Sequence, residues 1–189
     1  MTRPKPRLIA VEGVDGASVI AAARRAVEAP PRGGISHWDA SGVFQDLVVA
    51  EEAAGKPSPR TLLLLYAADL AFRLRWEIRP ALAEGRTVVA APYVETAIAF
   101  GRAAGVPAGW LINLFRFAPR AAERRFATMP LRRSMSHVDG FVGFVCARME
   151  GGTEGRTSHR VIKAANALLR RSASRDMKSR QPRQPKRRG

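Results

Sequence analysis

The sequence predicts an α/β fold, a mainly parallel sheet with helices packed on its faces. Short apolar runs containing β-branched residues and bounded by turn residues recur at Arg7–Val11, Ile35–Trp38, Thr87–Ala91 and Phe141–Ala147. Longer stretches with helical spacing of apolar residues lie between them, and this alternation is the pattern of strand and crossover helix. The chain has 189 residues, 46% of them apolar and 25% charged. That is enough for one well-cored domain and too little for two large ones.

The first strand, Arg7 to Val11, runs into Glu12-Gly-Val-Asp-Gly16, a turn-rich loop. Ala17–Ala29 is rich in alanine and stops before Pro30-Pro31, so a helix follows the loop. A strand at Ile35–Trp38 and a short helix at Val43–Ala53 come next, and Gly55-Lys-Pro-Ser-Pro59 breaks the chain. Thr61–Glu84 is the longest helical stretch, with Leu62, Leu65, Tyr66, Leu70, Leu74 and Ile78 near helical spacing. Pro80 is expected to kink it or to start a second short helix, and Gly85 to stop it. The strand Thr87–Ala91 ends at Pro92, and two helices, Val94–Ala104 and Ala108–Ala118, follow around Gly105-Val-Pro107. Arginine clusters then interrupt the pattern up to His137. Phe141–Ala147 reads as a late strand and Ser158–Arg171 as a C-terminal helix with Ser158 as its N-cap.

The net charge is +16, and its distribution is uneven. Residues 1–7 contribute +3, residues 8–100 sum to −2, residues 101–169 to +7 and residues 170–189 to +8. Such a basic chain points to an anionic partner, with nucleic acid the first candidate. Residues 170–189 lack large apolar groups apart from Met177 and read as a disordered basic tail. The division is therefore a domain over residues 1–171 and a tail over 172–189.

Cys146 is the sole cysteine, so no intramolecular disulfide can form. His37, His137 and His159 are scattered singly without cysteines or paired acids at ligand spacing, and no metal site is expected. The longest apolar stretch, Leu62 to Phe72, is too short to span a bilayer and contains Asp69. Glu12 and Asp15 interrupt the apolar run that a signal peptide would need after Arg7. A cytoplasmic protein without a membrane partner is the expectation.

Leu8-Ile-Ala-Val-Glu-Gly-Val-Asp-Gly-Ala17 resembles the opening of the thymidylate kinase family, in which the first strand enters a phosphate-binding P-loop. The segments Ser58–Asp69, Ile78–Gly85, Val88–Thr96 and Asn113–Ala118 are similar to further segments of that family in the same order. The resemblance covers residues 8 to about 118. It implies a three-layer P-loop NTPase-like fold and, in an intact family member, phosphate transfer from ATP to thymidine monophosphate with Mg²⁺.

The departures fall on the residues that such chemistry needs. A P-loop requires Gly-Lys-Ser/Thr after the first glycine and four spacers, supplying close backbone approach, positive charge and a metal-ligating hydroxyl. Those positions are Ser18, Val19 and Ile20, so Gly13, Asp15, Gly16, Ala17, Ser18, Val19 and Ile20 form a degenerate loop. Ala91 and Pro92 stand where the family has Asp-Arg, Leu70 where it has an acceptor-holding arginine, and His37–Gly42 where it has an arginine-bearing loop. The resemblance leaves Asp69, Tyr93, Thr96 and Phe100 as remnants of an acceptor pocket. Asp69 could equally be the partner of Arg73 one turn on, Asp15 and Glu12 could cap a helix, and the aromatic residues could be core.

Three functions compete. The first is a thymidylate-kinase-like protein of little or no activity with a nucleotide- or partner-binding role, with no catalytic residue and no cofactor. The second is an active kinase using ATP and Mg²⁺, with Arg124 or Arg132 supplying the missing charge. The third is non-specific nucleic-acid association through residues 172–189. A homodimer, implied by the resemblance, would use the helices in 61–84 and 94–118.

Overall fold

The computed structural model describes residues 5–28, 33–127, 138–149 and 155–180. Four strands, β1 (Leu8–Glu12), β2 (Gly34–His37), β3 (Val88–Ala91) and β4 (Glu123–Phe126), form one sheet in the order β2-β3-β1-β4. All neighbouring pairs are parallel, with Ala10 beside Ala90, Ile35 beside Val89 and Glu12 beside Phe126. Among the described residues, eight α-helices accompany them: α1 (Gly16–Val27), α2 (Val43–Ala54), α3 (Pro59–Arg73), α4 (Arg79–Ala83), α5 (Val94–Ala103), α6 (Ala108–Leu114), α7 (Phe141–Arg148) and α8 (Gly155–Arg180).

Alternation along the strands sorts the core into two layers. Ile9, Val11, Val89 and Ala91 face α1, where they pack with Val19, Ala23 and Ala26. Leu8, Ala10, Val88 and Ala90 face the opposite way, toward a larger cluster built from α3, α5, α7 and α8. The sheet is thus mainly parallel and flanked by helices on both faces, as expected for a P-loop NTPase-like architecture.

Of the two expected outcomes, Pro80 starts a second short helix. A π-helical segment, Leu74–Ile78, follows α3, and Pro80 lies in the first turn of α4. The Arg79 amide bonds to the Leu74 carbonyl, five residues back. This wider turn accommodates a residue that lacks an amide hydrogen and crowds the preceding turn.

Three expectations are corrected. Phe141–Ala147 is helix α7, not a strand, with Phe141, Val142, Val145 and Cys146 buried at helical spacing. A short apolar run buried on most sides does not distinguish the two by pattern alone. The arginine cluster after Pro119 contains β4, an edge strand that no apolar run announces. Its charges are paired: Arg125 with Glu123 at 2.7 Å, Arg124 with Glu95 at 3.2 Å and Asp176 at 2.7 Å. Ser158 is not a cap, because α8 begins at Gly155; its hydroxyl donates to the Cys146 carbonyl at 2.7 Å and ties α8 to α7.

The boundary drawn at residue 171 falls inside α8, which continues to Arg180. Arginine, lysine, alanine and methionine favour helix, and Asp176 anchors this part of α8 to β4 through Arg124. Residues 181–189 of the expected tail lie outside the described residues, as do Arg132, Arg133 and His137. No helix among the described residues is long and apolar enough to cross a membrane.

Candidate functional site

The carboxyl ends of β1 and β3 meet the N-termini of α1 and α5, the place where open parallel sheets hold ligands. Glu12, the last residue of β1, is fully buried there. Its carboxylate accepts bonds from the amides of Tyr93 (3.2 Å), Glu95 (3.1 Å) and Thr96 (2.9 Å), and from the Thr96 hydroxyl (2.6 Å). Glu12 therefore caps α5, whereas Asp15 caps α1 by accepting from the Ser18 amide at 3.0 Å and from the Ser18 hydroxyl. Burial pushes the Glu12 carboxyl up to about 7 despite these donors.

The loop after β1 turns its polar groups inward. The Gly13 amide donates to the Thr96 hydroxyl at 3.0 Å, and the Gly16 amide donates to the Asp139 carbonyl at 2.7 Å. A Cβ at Gly16 would lie 2.9 Å from the Asp139 carbonyl and from the Gly140 Cα. The loop therefore packs directly on the turn that leads into α7. Val19 is buried, and its Cγ2 would be 2.8 Å from a Cβ at Gly13, so it fills the inside of the loop. Ser18 is engaged with Asp15, and Ile20 presents no ligating atom. Two loop amides are bonded to other residues, and positions 19 and 20 carry neither a cation nor a hydroxyl. Among the described residues no cluster of histidine, cysteine, aspartate and glutamate could hold a metal ion.

Behind the loop lies an aromatic cluster. Phe141, the first residue of α7, packs against Tyr66 with ring centroids 4.3 Å apart, Phe100 at 5.9 Å, Trp38 at 5.9 Å and Phe44 at 6.0 Å. The Tyr66 hydroxyl donates to the Pro92 and Tyr93 carbonyls, and the Tyr93 hydroxyl to the Pro119 carbonyl. Burial raises both phenols well above their usual range. Tyr93, Thr96 and Phe100 are thus brought together around β3 and α5, all buried.

Asp69 sits at the other side of this cluster, on α3. It accepts from the amides of Asp39 (3.1 Å) and Ser41 (3.0 Å) and from the Ser41 hydroxyl (2.9 Å), and it pairs with Arg73 at 3.8 Å. Both side chains of this pair are fully buried. Arg73 crosses to β2 and β3, donating to the Ser36 hydroxyl at 3.0 Å, the Ser36 carbonyl at 2.8 Å and the Pro92 carbonyl at 3.1 Å. The Ser36 hydroxyl in turn donates to Glu77 at 2.6 Å. Asp69 and Arg73 thus pin the loop after β2 to the end of β3.

Arg73, Tyr66 and Phe141 are the central residues that sequence reasoning did not place at the site. Arg73 was visible only as a partner one turn from Asp69. Phe141 carried no signal, because it was read as part of a strand. Cys146 lies deeper in the core, where burial pushes its thiol up to about 12.

No family model matches the sequence. Over 115 residues the chain is 35% identical to a probable thymidylate kinase of Pyrobaculum calidifontis, a match covering 59% of this chain and 58% of that protein. It is 36% identical over 77 residues to a probable thymidylate kinase of Thermococcus gammatolerans, covering 41% and 37%. It is 32% identical over 122 residues to the thymidylate kinase of Xanthomonas oryzae pv. oryzae, covering 62% and 54%. The chain spans about half the length of the curated relatives it matches.

Proposed function

We propose that this protein is a non-catalytic derivative of the thymidylate kinase fold whose nucleotide cleft is filled by its own chain and whose role is binding and assembly. One observation carries the reading: the turn before α7 takes the Gly16 amide at 2.7 Å, while Phe141 behind it covers Tyr66. The donor loop and the candidate acceptor pocket are closed by the same short segment. The missing lysine at Val19 and the missing charges at Leu70, Ala91 and Pro92 agree with it. An active kinase using Arg124 is disfavoured, because that guanidinium is held by Glu95 and Asp176.

A second copy of the chain is the proposed assembly partner. Phe72 stands eight residues after Leu64, and Trp76 four after Phe72, along α3 and the π-helical segment; they are 52%, 39% and 64% exposed in chain order. Side chains so spaced share one face of a helix, and an exposed apolar stripe of this kind favours association.

The deciding experiment is a coupled assay with ATP, Mg²⁺ and thymidine monophosphate, run beside thermal denaturation in millimolar amounts of each. The expected result is no turnover and no rise of the melting midpoint. Turnover at an ordinary kinase rate of about 1–100 per second would overturn the proposal. Light scattering at rising protein concentration tests the assembly half, with Trp76→Arg expected to yield monomer.

A further inference from the structure

We infer that the outer face of α8, together with Arg102 of α5, is a binding surface for the phosphate backbone of duplex nucleic acid. At about 100° per residue, Arg160, Lys163, Arg171, Arg175 and Lys178 fall within about 120° of one another, and all are exposed. Val161, Ile162, Ala165 and Leu169 occupy the opposite side, buried against the domain. Arg102 lines a groove between α5 and α8 with Arg171 and Arg175, and its continuation with Arg160. The six cations have no ion pair among the described residues.

Uniform sign is what makes this face a site and not merely a solvated helix. Asp176 is the only acid in α8. It and Glu95, the acid lining the groove, both pair with Arg124, at 2.7 Å and 3.2 Å. Arg124 thus offsets one of the two negative charges, and the one that remains is outweighed by the six cations of the face.

The geometry favours a duplex. From Arg160 to Lys178 the helix rises about 27 Å at 1.5 Å per residue, comparable to one duplex turn of about 34 Å. The exposed side of α8 carries long flexible cationic side chains, which suit phosphates more than base edges. No aromatic residue lies on the face to stack unpaired bases. A membrane surface is less suited, because an interfacial helix inserts its apolar side and that side of α8 is already packed on the protein. The helical face, more than the residues beyond Arg180, carries the interaction.

The test is fluorescence anisotropy of the full chain with a labelled mixed-sequence DNA duplex over a salt series. Six phosphate contacts give a slope of log affinity against log salt of about −5. The triple variant R160E/K163E/R171E is expected to lose at least about tenfold in affinity and to flatten the slope by about 3. R160K/R171K should retain binding, and replacing Arg183, Lys186, Arg187 and Arg188 by alanine should cost less than the triple reversal. Circular dichroism checks that the variants fold; if the reversal does not, the wild-type slope decides, and a value shallower than about −3 overturns the inference. Unchanged affinity in a folded reversal variant overturns it, as does binding to phosphatidylserine vesicles without binding to duplex.

Discussion

The amide of Gly16 and the carbonyl of Asp139 are joined by a 2.7 Å hydrogen bond, which seats the start of α7 on the loop after β1. Gly140, immediately next, has φ +90 and lies where its own Cβ would be 2.8 Å from the Gly16 Cα. Any side chain here is opposed by both backbone conformation and space. Gly140→Ala is therefore expected to destabilise the protein by about 2–4 kcal/mol in urea unfolding. A change below about 0.5 kcal/mol, ordinary for a surface position, would mean that this turn does not close the loop.

Phe141 extends the same contact into the aromatic cluster. It is 2% exposed and meets Tyr66, Phe100, Trp38 and Phe44, mostly edge to face. Phe141→Ala should cost about 3–5 kcal/mol, the loss of transfer energy plus the cavity left behind. Phe141→Leu, which keeps most of the volume, should cost visibly less. Equal losses for the two substitutions would show that the segment is not packed as described.

These two residues also mark where sequence reading ran out. The strands β1, β2 and β3 and helices α1 through α6 were legible because turn residues bound them and apolar residues follow one period or the other. The altered positions Ser18, Val19, Leu70, Ala91 and Pro92 were legible because a motif with fixed spacing surrounds them. Beyond residue 118 the expected helix at Ser158–Arg171 lies within α8, but β4 and α7 were not legible. Edge strand β4 is stabilised by ion pairs between Arg124, Arg125, Glu123, Glu95 and Asp176, partners up to 52 residues apart, so no local apolar run betrays it. Helix α7 is buried on two adjoining sides, which turns its helical spacing into a continuous apolar run. The packing of Phe141 on Tyr66 is a tertiary contact between residues 75 apart, and nothing local to either residue encodes it.

Asp69 and Arg73 form a buried pair whose members each hold other groups, so single and double substitutions should differ sharply. Arg73→Met removes the bonds to Ser36 and Pro92 and leaves the buried Asp69 carboxylate without its counter-charge. The expected cost is about 3–5 kcal/mol. Asp69→Asn retains an acceptor for Ser41 but leaves the guanidinium without its counter-charge, and should fall in the same range. The double variant is expected to cost clearly less than the sum of the two, with the coupling read from a double-mutant cycle by urea denaturation. Strict additivity would show that the 3.8 Å approach carries no interaction.

Glu12 makes stability depend on pH in a direction opposite to the usual carboxylate. Burial raises its pKa in the folded protein from 4.5 to about 7, so between these values the folded state binds a proton that the unfolded state has released. Stability from this group is fully present below about pH 4.5 and is lost as pH rises toward 7, at most about 3 kcal/mol at 1.36 kcal/mol per unit. His37 acts in the opposite sense below its ordinary value of 6.5: burial lowers its pKa, so protonation favours unfolding as pH falls. Asp39, raised by burial from 3.8, acts like Glu12 but at lower pH. Glu12→Gln isolates the first contribution, since the other two cancel in the difference between variant and wild type. The amide presents hydrogens toward some of the donors at Tyr93, Glu95 and Thr96, so the variant is less stable than wild type throughout. Urea unfolding at pH 5, 6, 7 and 8 should show that deficit shrinking as pH rises, because only the wild type pays for ionising a buried carboxyl. A deficit independent of pH would place the Glu12 titration outside this range and contradict its burial as the dominant influence.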